Sequence, residues 1–495
     1  MIDPGRMSRI TTIDERFQSY NIEMVEVTGG RFWKPYDSTA KPEPGGANQP
    51  AGMAASLYEY RPPIDLANAR LRKLAAALGP AYLRVSGTWA NSTWFQNVDA
   101  TAPKEPPAGF KGVLTRQEWK GVIEFSRAVN AKIVTSFAVS DGTRDAKGVW
   151  KPDQANALVG FTRASGAGIA AAEFMNEPTF PQIGGAPKGY DAAAYARDVV
   201  VFHAFLKKAS PGTVFLGPGG VGEGSALMAP GMSTLKSDDI LAATGPVFDA
   251  FSYHFYGAVS SRCGHPGMPG TIAPDAALSD EWLGRAVRSE EFYAAIRDRL
   301  LPGRPIWLTE TAEAACGGDR FAATFLDSFR YLNQLGSLAR RGVQVHMHNT
   351  LAASDYGLLD EKTYEPRPDY WAALLWHRFM GATVLDAGTA SSHGLHLYAH
   401  CTPRRSGGVT LLAINADATS AHSISLAKAS DLYMLTAPDI HGQRILLNEV
   451  ELKLGDNDAL APMKPVAVPA GSIRLPPASI TFFVIPAAGN MACNP

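Results

Sequence analysis

The sequence predicts an α/β chain: a (β/α)8 barrel followed by a C-terminal β-sandwich domain that also takes the N-terminal strand. Three observations carry that prediction. Short apolar, β-branched runs alternate with helical stretches from about residue 17 to residue 380. Eight strand–helix units fit this span, the number that closes a barrel. After residue 380 the helical period stops, and alternating strand patterns broken by Pro, Gly, Asn and Asp replace it. A doubly wound parallel sheet is the competing architecture for the first part.

The predicted barrel strands are Phe17–Val27, Ala81–Ser86, Lys132–Val139, Ile169–Met175, Thr213–Leu216, Phe248–His254, Pro305–Thr309 and Gly342–Met347. Helices fill the gaps. Ala67, Leu71, Leu74 and Leu78 recur at helical steps before Gly79 ends the pattern. Phe321, Phe325, Phe329, Leu332 and Leu335 keep one apolar stripe, closed by Arg340, Arg341 and Gly342 as a cationic, glycine-stopped end. The tail strands are Gly394–Ala399, Gly408–Ile414, Ile445–Leu454 and Ser479–Ile485, and the early strand Arg9–Ile13 is free to join them. The expected division is residues 16–380 for the barrel, with 8–15 and 381–495 for the sandwich.

Composition narrows the function. Hydrophobic residues are 46% of 495 and charged residues 19%, enough apolar surface for a large core. A net charge of −1 argues against bulk attraction to nucleic acid or an anionic membrane, and no apolar run approaches a bilayer span. The four cysteines lack C-x-x-C spacing, and no metal or other cofactor is expected. The 47 glycines and 35 prolines imply long, shaped loops. Gly29–Pro63 is one, placed where barrel active sites sit, and it carries Phe32, Trp33 and Tyr36, ring types that stack on sugars. Thr101–Gly112 reads as a connector.

The chemistry sits at strand ends. Asn176, Glu177 and Pro178 follow the fourth strand, and Glu310 ends the seventh. In a closed barrel these strands face each other across the top. Two carboxyls about 5–5.5 Å apart across a sugar suit a retaining glycosidase, one protonating the leaving oxygen while the other attacks the anomeric carbon. Asn176 suits a sugar hydroxyl beside the reacting carbon, and Tyr256 at the sixth strand can orient the nucleophile. Glu173 points to the same side as Glu177 and is read as structural. Rival patterns are weaker. Gly217–Gly222 (GPGGVG) hints at a dinucleotide, but Pro230 interrupts the helix it would need. His254, His346 and His348 could ligate a metal, yet acidic ligands at other strand ends are wanting. A noncatalytic glycan-binding protein would be expected to lose a carboxylate, and both are present.

At this point the chain resembles glycoside hydrolase family 79, the heparanase-type β-glucuronidases, from Phe17 to Cys493. The motifs are FQSYNIE, GPAYLRVSGT, EFMNEP, SYHFY, WLTETAEAACGG, DYGLLD with PRPDYW, and a tail of HCTPRRSGGVTLLAIN and ITFFVIPAAGNMAC. The resemblance implies Glu177 as acid/base and Glu310 as nucleophile. It places Glu23, Thr88, Asn176 and Tyr256 around the sugar, and gives the uronate carboxylate to the backbone N–H groups of Gly317 and Gly318 and the hydroxyl of Tyr356. It also implies a Cys401–Cys493 disulfide, while a Cys263–Cys316 pair stays open. Two bridges would favour a secreted or periplasmic enzyme. The implied substrate is a glucuronate-containing polysaccharide, heparan sulfate above all, cleaved endo-fashion by a single-chain monomer without proteolytic activation; release of terminal glucuronate is the alternative. The chain departs from animal heparanases in having Glu23 for Asp, Val25 for Asn and His346-x-His348-Asn349 for Arg-Gln, and in lacking their basic clusters: the stretch after the fifth strand reads VGEGSALMAPG.

Overall fold

The computed structural model describes residues 1–39, 54–225, 227, 234–264, 270–388 and 393–494. Eight parallel strands close a barrel: Gln18–Glu23, Ala81–Ser86, Ala131–Thr135, Ile169–Glu173, Val214–Val221, Ala250–Val259, Ile306–Ala315 and Val345–His348. One main helix follows each strand: Ala69–Ala76, Arg116–Ala128, Asp153–Ala164, Ala192–Ala209, Ser237–Thr244, Arg285–Leu300, Phe325–Arg340 and Pro368–Phe379. Side-chain caps show why some begin where they do. Asn68 Oδ1 accepts from Leu71 N–H at 3.1 Å. Thr115 and Glu118 form a reciprocal capping box that starts the second helix.

Boundaries differ from expectation along the barrel, and at two strands the cause is visible. The first stops at Glu23, where a short helix, Met24–Thr28, begins; Glu26 Oε1 accepts the Glu23 N–H at 2.8 Å and draws the chain out of the sheet. The fifth strand runs through the glycines of GPGGVG, pairing Gly217 with Phe251 and Gly220 with Tyr253. Those glycines answer to packing, since a Cβ on Gly217 would lie 2.1 Å from the Phe248 ring, so the segment opens no phosphate-binding helix. Pro230, and residues 40–53 of the long first loop, lie outside the described residues. The described part of that loop forms a hairpin, Gly30–Trp33 against Tyr58–Arg61, that the sequence did not announce.

The barrel interior is layered with the period of two that strands impose. Its floor is apolar: Tyr82, Val134, Ala171, Leu216, Ala250, Trp307, Val345 and Met347 form one buried cluster. Two residues further along their strands stand Arg84, Glu173, Ser252 and Thr309, an ionic and hydroxylic layer. Ser252 and Thr309 donate to Glu173 Oε1 at 3.0 and 2.8 Å. The catalytic candidates lie above it.

The C-terminal unit is a nine-stranded antiparallel sheet, joined by Arg9–Thr12 from the chain start, which pairs with Thr383–Leu385. A two-stranded sheet, His422–Leu426 with Gly471–Leu475, covers one face. Leu397, Leu411, Phe483, Ile424 and Leu475 share the core between them. The other face lies against the barrel, so the helix Phe325–Arg340 is buried from Phe325 through Ala339. Gly336 is the closest approach, where a Cβ would meet the Tyr398 ring at 2.3 Å.

Both cysteine pairs are bonded, Cys263–Cys316 and Cys401–Cys493, with Cα atoms 6.4 and 5.3 Å apart. The second closes a 92-residue separation, for which chain entropy gives about 4–5 kcal/mol. No helix among the described residues is long and apolar enough to cross a membrane.

Candidate active site

The ionic layer sets the geometry above it. Arg84 is almost fully buried and forks to Glu173 Oε2, Glu310 Oε2 and Asn176 Oδ1, each at 2.8 Å, with His254 Nε2 a fourth partner at 3.2 Å. Burial works to lower the pKa of this guanidinium, yet the charges of Glu173 and Glu310 outweigh it and raise the pKa. Glu173 therefore serves the barrel interior, and its pKa is lowered because Arg84 and His254 outweigh the cost of burying it.

Glu310 reaches this layer through a β-bulge. Between the sixth and seventh strands the register steps from Tyr253 opposite Leu308 to His254 opposite Glu310. Thr309 and Glu310, neighbours in sequence, thus both turn inward: Thr309 bonds Glu173 while Glu310 bonds Arg84. Tyr256 donates to Glu310 Oε1 at 2.6 Å. Burial would raise the Glu310 pKa, but attraction to His254 and Arg84 and the hydrogen bonds from Tyr256 and Arg84 bring it below the usual carboxylate value.

Glu177 sits on the loop after the fourth strand with φ +46°, its backbone turned into a region that non-glycine residues seldom adopt. Its Oε1 lies 3.1 Å from His254 Nδ1. Burial first, then repulsion from Glu310, raises its pKa, against the hydrogen bond and charge of His254. Glu23 behaves likewise. Its Oε2 is buried without a hydrogen-bond partner, and burial followed by the Glu310 charge pushes its pKa well above the usual range. Gly87 makes room for it, since a Cβ there would fall 1.5 Å from Glu23 Oε2. Of the three carboxyls in the cleft, two are biased neutral and one ionised, the separation an acid–nucleophile pair requires.

A cavity lined by Glu23, Trp33, Thr88, Glu177, Glu310 and Tyr356, among others, gathers most of the predicted residues. Tyr256 also faces it. Asn176 does not line it; Asn91 clamps its backbone, donating to its carbonyl at 2.9 Å and accepting its N–H at 2.8 Å. Its side-chain amide oxygen, Oδ1, is committed to Arg84, which fixes the amide with its NH2 end turned away from the guanidinium. Tyr356 Oη accepts from Asn349 Nδ2 at 3.3 Å.

The glycine cradle differs from expectation. The Gly318 N–H is bonded to the Ala314 carbonyl at 3.1 Å, and neither Gly317 nor Gly318 lines the cavity. Both have positive φ and fit where side chains would not: a Cβ on Gly317 would lie 2.6 Å from Trp33 Cβ, and one on Gly318 3.1 Å from Tyr356 Cβ. The turn is tight because the chain folds back on itself, the Gly318 N–H reaching the carbonyl four residues earlier.

The three histidines do not gather. His254 stands between the two candidate carboxylates, His346 packs beside Phe17 and Tyr331, and the His348 ring meets the Tyr356 carbonyl at 2.7 Å. Among the described residues, ligand-type atoms converge only at Glu177, His254 and Glu310, all within 4.8 Å of one another. Arg84, Asn91 and Trp89 escaped the sequence reading. A signal existed for Arg84, a charge in mid-strand among Leu83, Val85 and other apolar residues.

Activity should follow these opposed pKa shifts. In a pair where Glu310 attacks and Glu177 donates, ionisation of Glu310 limits activity at a pH below the usual carboxylate value, and protonation of Glu177 limits it above that value. We expect a bell-shaped kcat/KM profile with an acidic optimum, whose alkaline limb disappears in Glu177→Gln. A profile flat to about pH 8 would contradict it.

A family model described as the N-terminal domain of glycosyl hydrolase family 79 matches residues 55–336. Heparanase-like protein 1 of Arabidopsis thaliana is 26% identical over 487 residues, covering 87% of this chain and 86% of that protein. The heparanase of Mus musculus is 28% identical over 494 residues, covering 86% and 88%. Among solved structures, a 4-O-α-L-rhamnosyl-β-D-glucuronidase from Fusarium oxysporum superposes with a TM-score of 0.63 at 13% identity, covering 98% of each chain.

Proposed function

The chain belongs to glycosyl hydrolase family 79, and from that premise we propose that it is a retaining β-glucuronidase with Glu177 as acid/base and Glu310 as nucleophile. The observation that carries this is the pair itself: carboxylate oxygens of Glu177 and Glu310 within 4.8 Å, one carboxyl biased neutral and the other ionised. A separation this short supports the retaining reading, whose carboxyls stand about 5–5.5 Å apart, over the inverting one at about 6.5–9.5 Å.

Glu310 attacks the anomeric carbon as the glycosidic C–O bond breaks, and the leaving oxygen takes the Glu177 proton. The sugar is then held as an ester on Glu310. Glu177, now a carboxylate, takes a proton from water; the water attacks the anomeric carbon from the face the leaving group vacated, and Glu310 is released. Arg84 and the Tyr256 hydroxyl hold the nucleophile in register throughout. The upward pKa shifts of Glu23 and Glu177 favour their protonated forms and so lessen the negative charge that a uronate meets.

Endo-acting cleavage of heparan sulfate is the form we propose first, for a chain similar to heparanases. One observation favours the second form, release of terminal glucuronate: the cavity measures about 220 Å³, small beside the ~300–1,000 Å³ of ligand pockets generally. NMR of the first-formed product from an aryl β-glucuronide should show the β anomer; an α product refutes retention. Sizing the products from heparan sulfate decides the rest, with oligosaccharides expected for endo action and glucuronate alone sinking it. The two disulfides support an oxidising, extracytoplasmic location.

A further inference from the structure

Arg262, just beyond the sixth barrel strand, takes no part in the chemistry above, yet its guanidinium bonds four groups around the cleft. Only 8% of its side chain is exposed. Nη1 donates to the carbonyl of Lys34, Nη2 to the Gly318 carbonyl at 3.1 Å and to Asp355 Oδ2, and Nε to Ser260 Oγ at 3.3 Å. Its guanidinium lies 4.0 Å from the centre of the Tyr36 ring, and Arg320 approaches the same ring at 4.4 Å. The Tyr36 hydroxyl meets Ser260 and Ser261 at 2.8 Å each and Asp319 at 3.2 Å. Asp319 in turn accepts the Ser261 N–H at 3.1 Å and donates its own N–H to Glu313 at 2.7 Å.

The placement of these grips is selective. Lys34 follows Trp33, Asp355 precedes Tyr356, and Gly318 lies two residues after Cys316; Trp33, Tyr356 and Cys316 all line the cavity. They come from the loops after the first, eighth and seventh strands. Cys263, the next residue after Arg262, is bonded to Cys316 itself. One buried guanidinium and one disulfide thus tie three separate loops from behind, at the wall that holds no reacting carboxylate.

We propose that Arg262 is a positioning residue that, with the Cys263–Cys316 bond, sets the wall formed by Trp33, Cys316 and Tyr356 and thereby the affinity for the sugar. The proposal rests on the glucuronidase reading of the cleft. A planar fork suits the task, because it aligns two carbonyls and a carboxylate at fixed angles, which an ammonium cannot. Since the wall lies off the reaction axis, its loss removes binding common to ground and transition states.

Arg262→Ala is therefore expected to raise KM for p-nitrophenyl β-D-glucuronide about 10- to 100-fold with kcat within about threefold, and to weaken glucuronic acid binding by calorimetry to the same degree. Arg262→Lys should fall between. A folded Arg262→Ala with unchanged KM and unchanged glucuronate affinity overturns the proposal, as does a loss confined to kcat. Should Arg262→Ala fail to fold by circular dichroism, Arg262→Lys and Asp355→Asn carry the same comparison. If glucuronic acid binds and Arg262→Ala weakens it while no β-glucuronide is cleaved by the native enzyme, the clasp stands and the assigned reaction falls.

Discussion

Glu310→Gln is expected to lower turnover by at least ~10⁴-fold, about 5 kcal/mol of barrier at roughly 1.4 kcal/mol per tenfold, while the protein stays folded. The substitution keeps the shape and removes the attacking charge. Tyr256 can still donate to the amide oxygen, and Arg84 keeps Glu173 and Asn176 as partners. Retained activity would refute the assignment. A sharper form uses azide and an activated aryl glucuronide. In Glu310→Ala, azide enters from the nucleophile's side, forming its bond to the anomeric carbon as the leaving oxygen takes the Glu177 proton, and gives the α-glucuronyl azide. In Glu177→Ala the ester on Glu310 still forms from a good leaving group, and azide displaces it to give the β-azide. The opposite pairing of variants and anomers would exchange the two roles.

Arg84→Met should be the most damaging substitution away from the reacting pair. It strands Glu173 and Glu310 in the barrel without their counter-charge, and breaking a buried pair this way costs about 3–5 kcal/mol. Activity should change in a particular direction as well. Without Arg84 the Glu310 pKa rises, so the acid limb of the kcat/KM profile moves to higher pH. Arg84→Lys keeps the charge but loses the three-way fork, so it should be intermediate in both respects. Adding Glu173→Gln to Arg84→Met removes one of the stranded charges and should recover part of the lost melting temperature. An unmoved acid limb in a folded Arg84→Met enzyme would show that Glu310 is tuned by other groups.

The period of two and the period of 3.6 are local properties, and they suffice to expose eight strand–helix units and the change to all-β structure after residue 380. Strand-end carboxylates follow from the same pattern, because a barrel places strand ends on one rim. What stayed hidden is relational. The bulge opposite His254 that turns Thr309 and Glu310 the same way depends on pairing with a neighbouring strand, which no run of residues records. Arg84 reads as an anomaly in its own strand, but its partners lie 89 and 226 residues away. The Gly318 N–H is engaged because the turn closes back on the Ala314 carbonyl, and a glycine pair alone does not tell a closed turn from an open one. The hairpin opposite Trp33 needs Tyr58 to stack on it, at a ring separation of 4.6 Å, and the two are joined through a long, glycine-rich segment without a strand period of its own.

The helix Phe325–Arg340, enclosed by barrel and sandwich alike, places a demand on biosynthesis. Its outer face is covered by strands that leave the ribosome later, Tyr398 among them, and Asn490 holds the carbonyls of Pro4 and Met7 at 2.7 and 2.9 Å. The nascent chain can wind its barrel early but cannot seal that helix until Tyr398 and its neighbouring strands are made, nor anchor Pro4 and Met7 until Asn490 is made. An apolar face therefore stays open while the sandwich strands are being translated, and those strands act as a closing template for the barrel made before them.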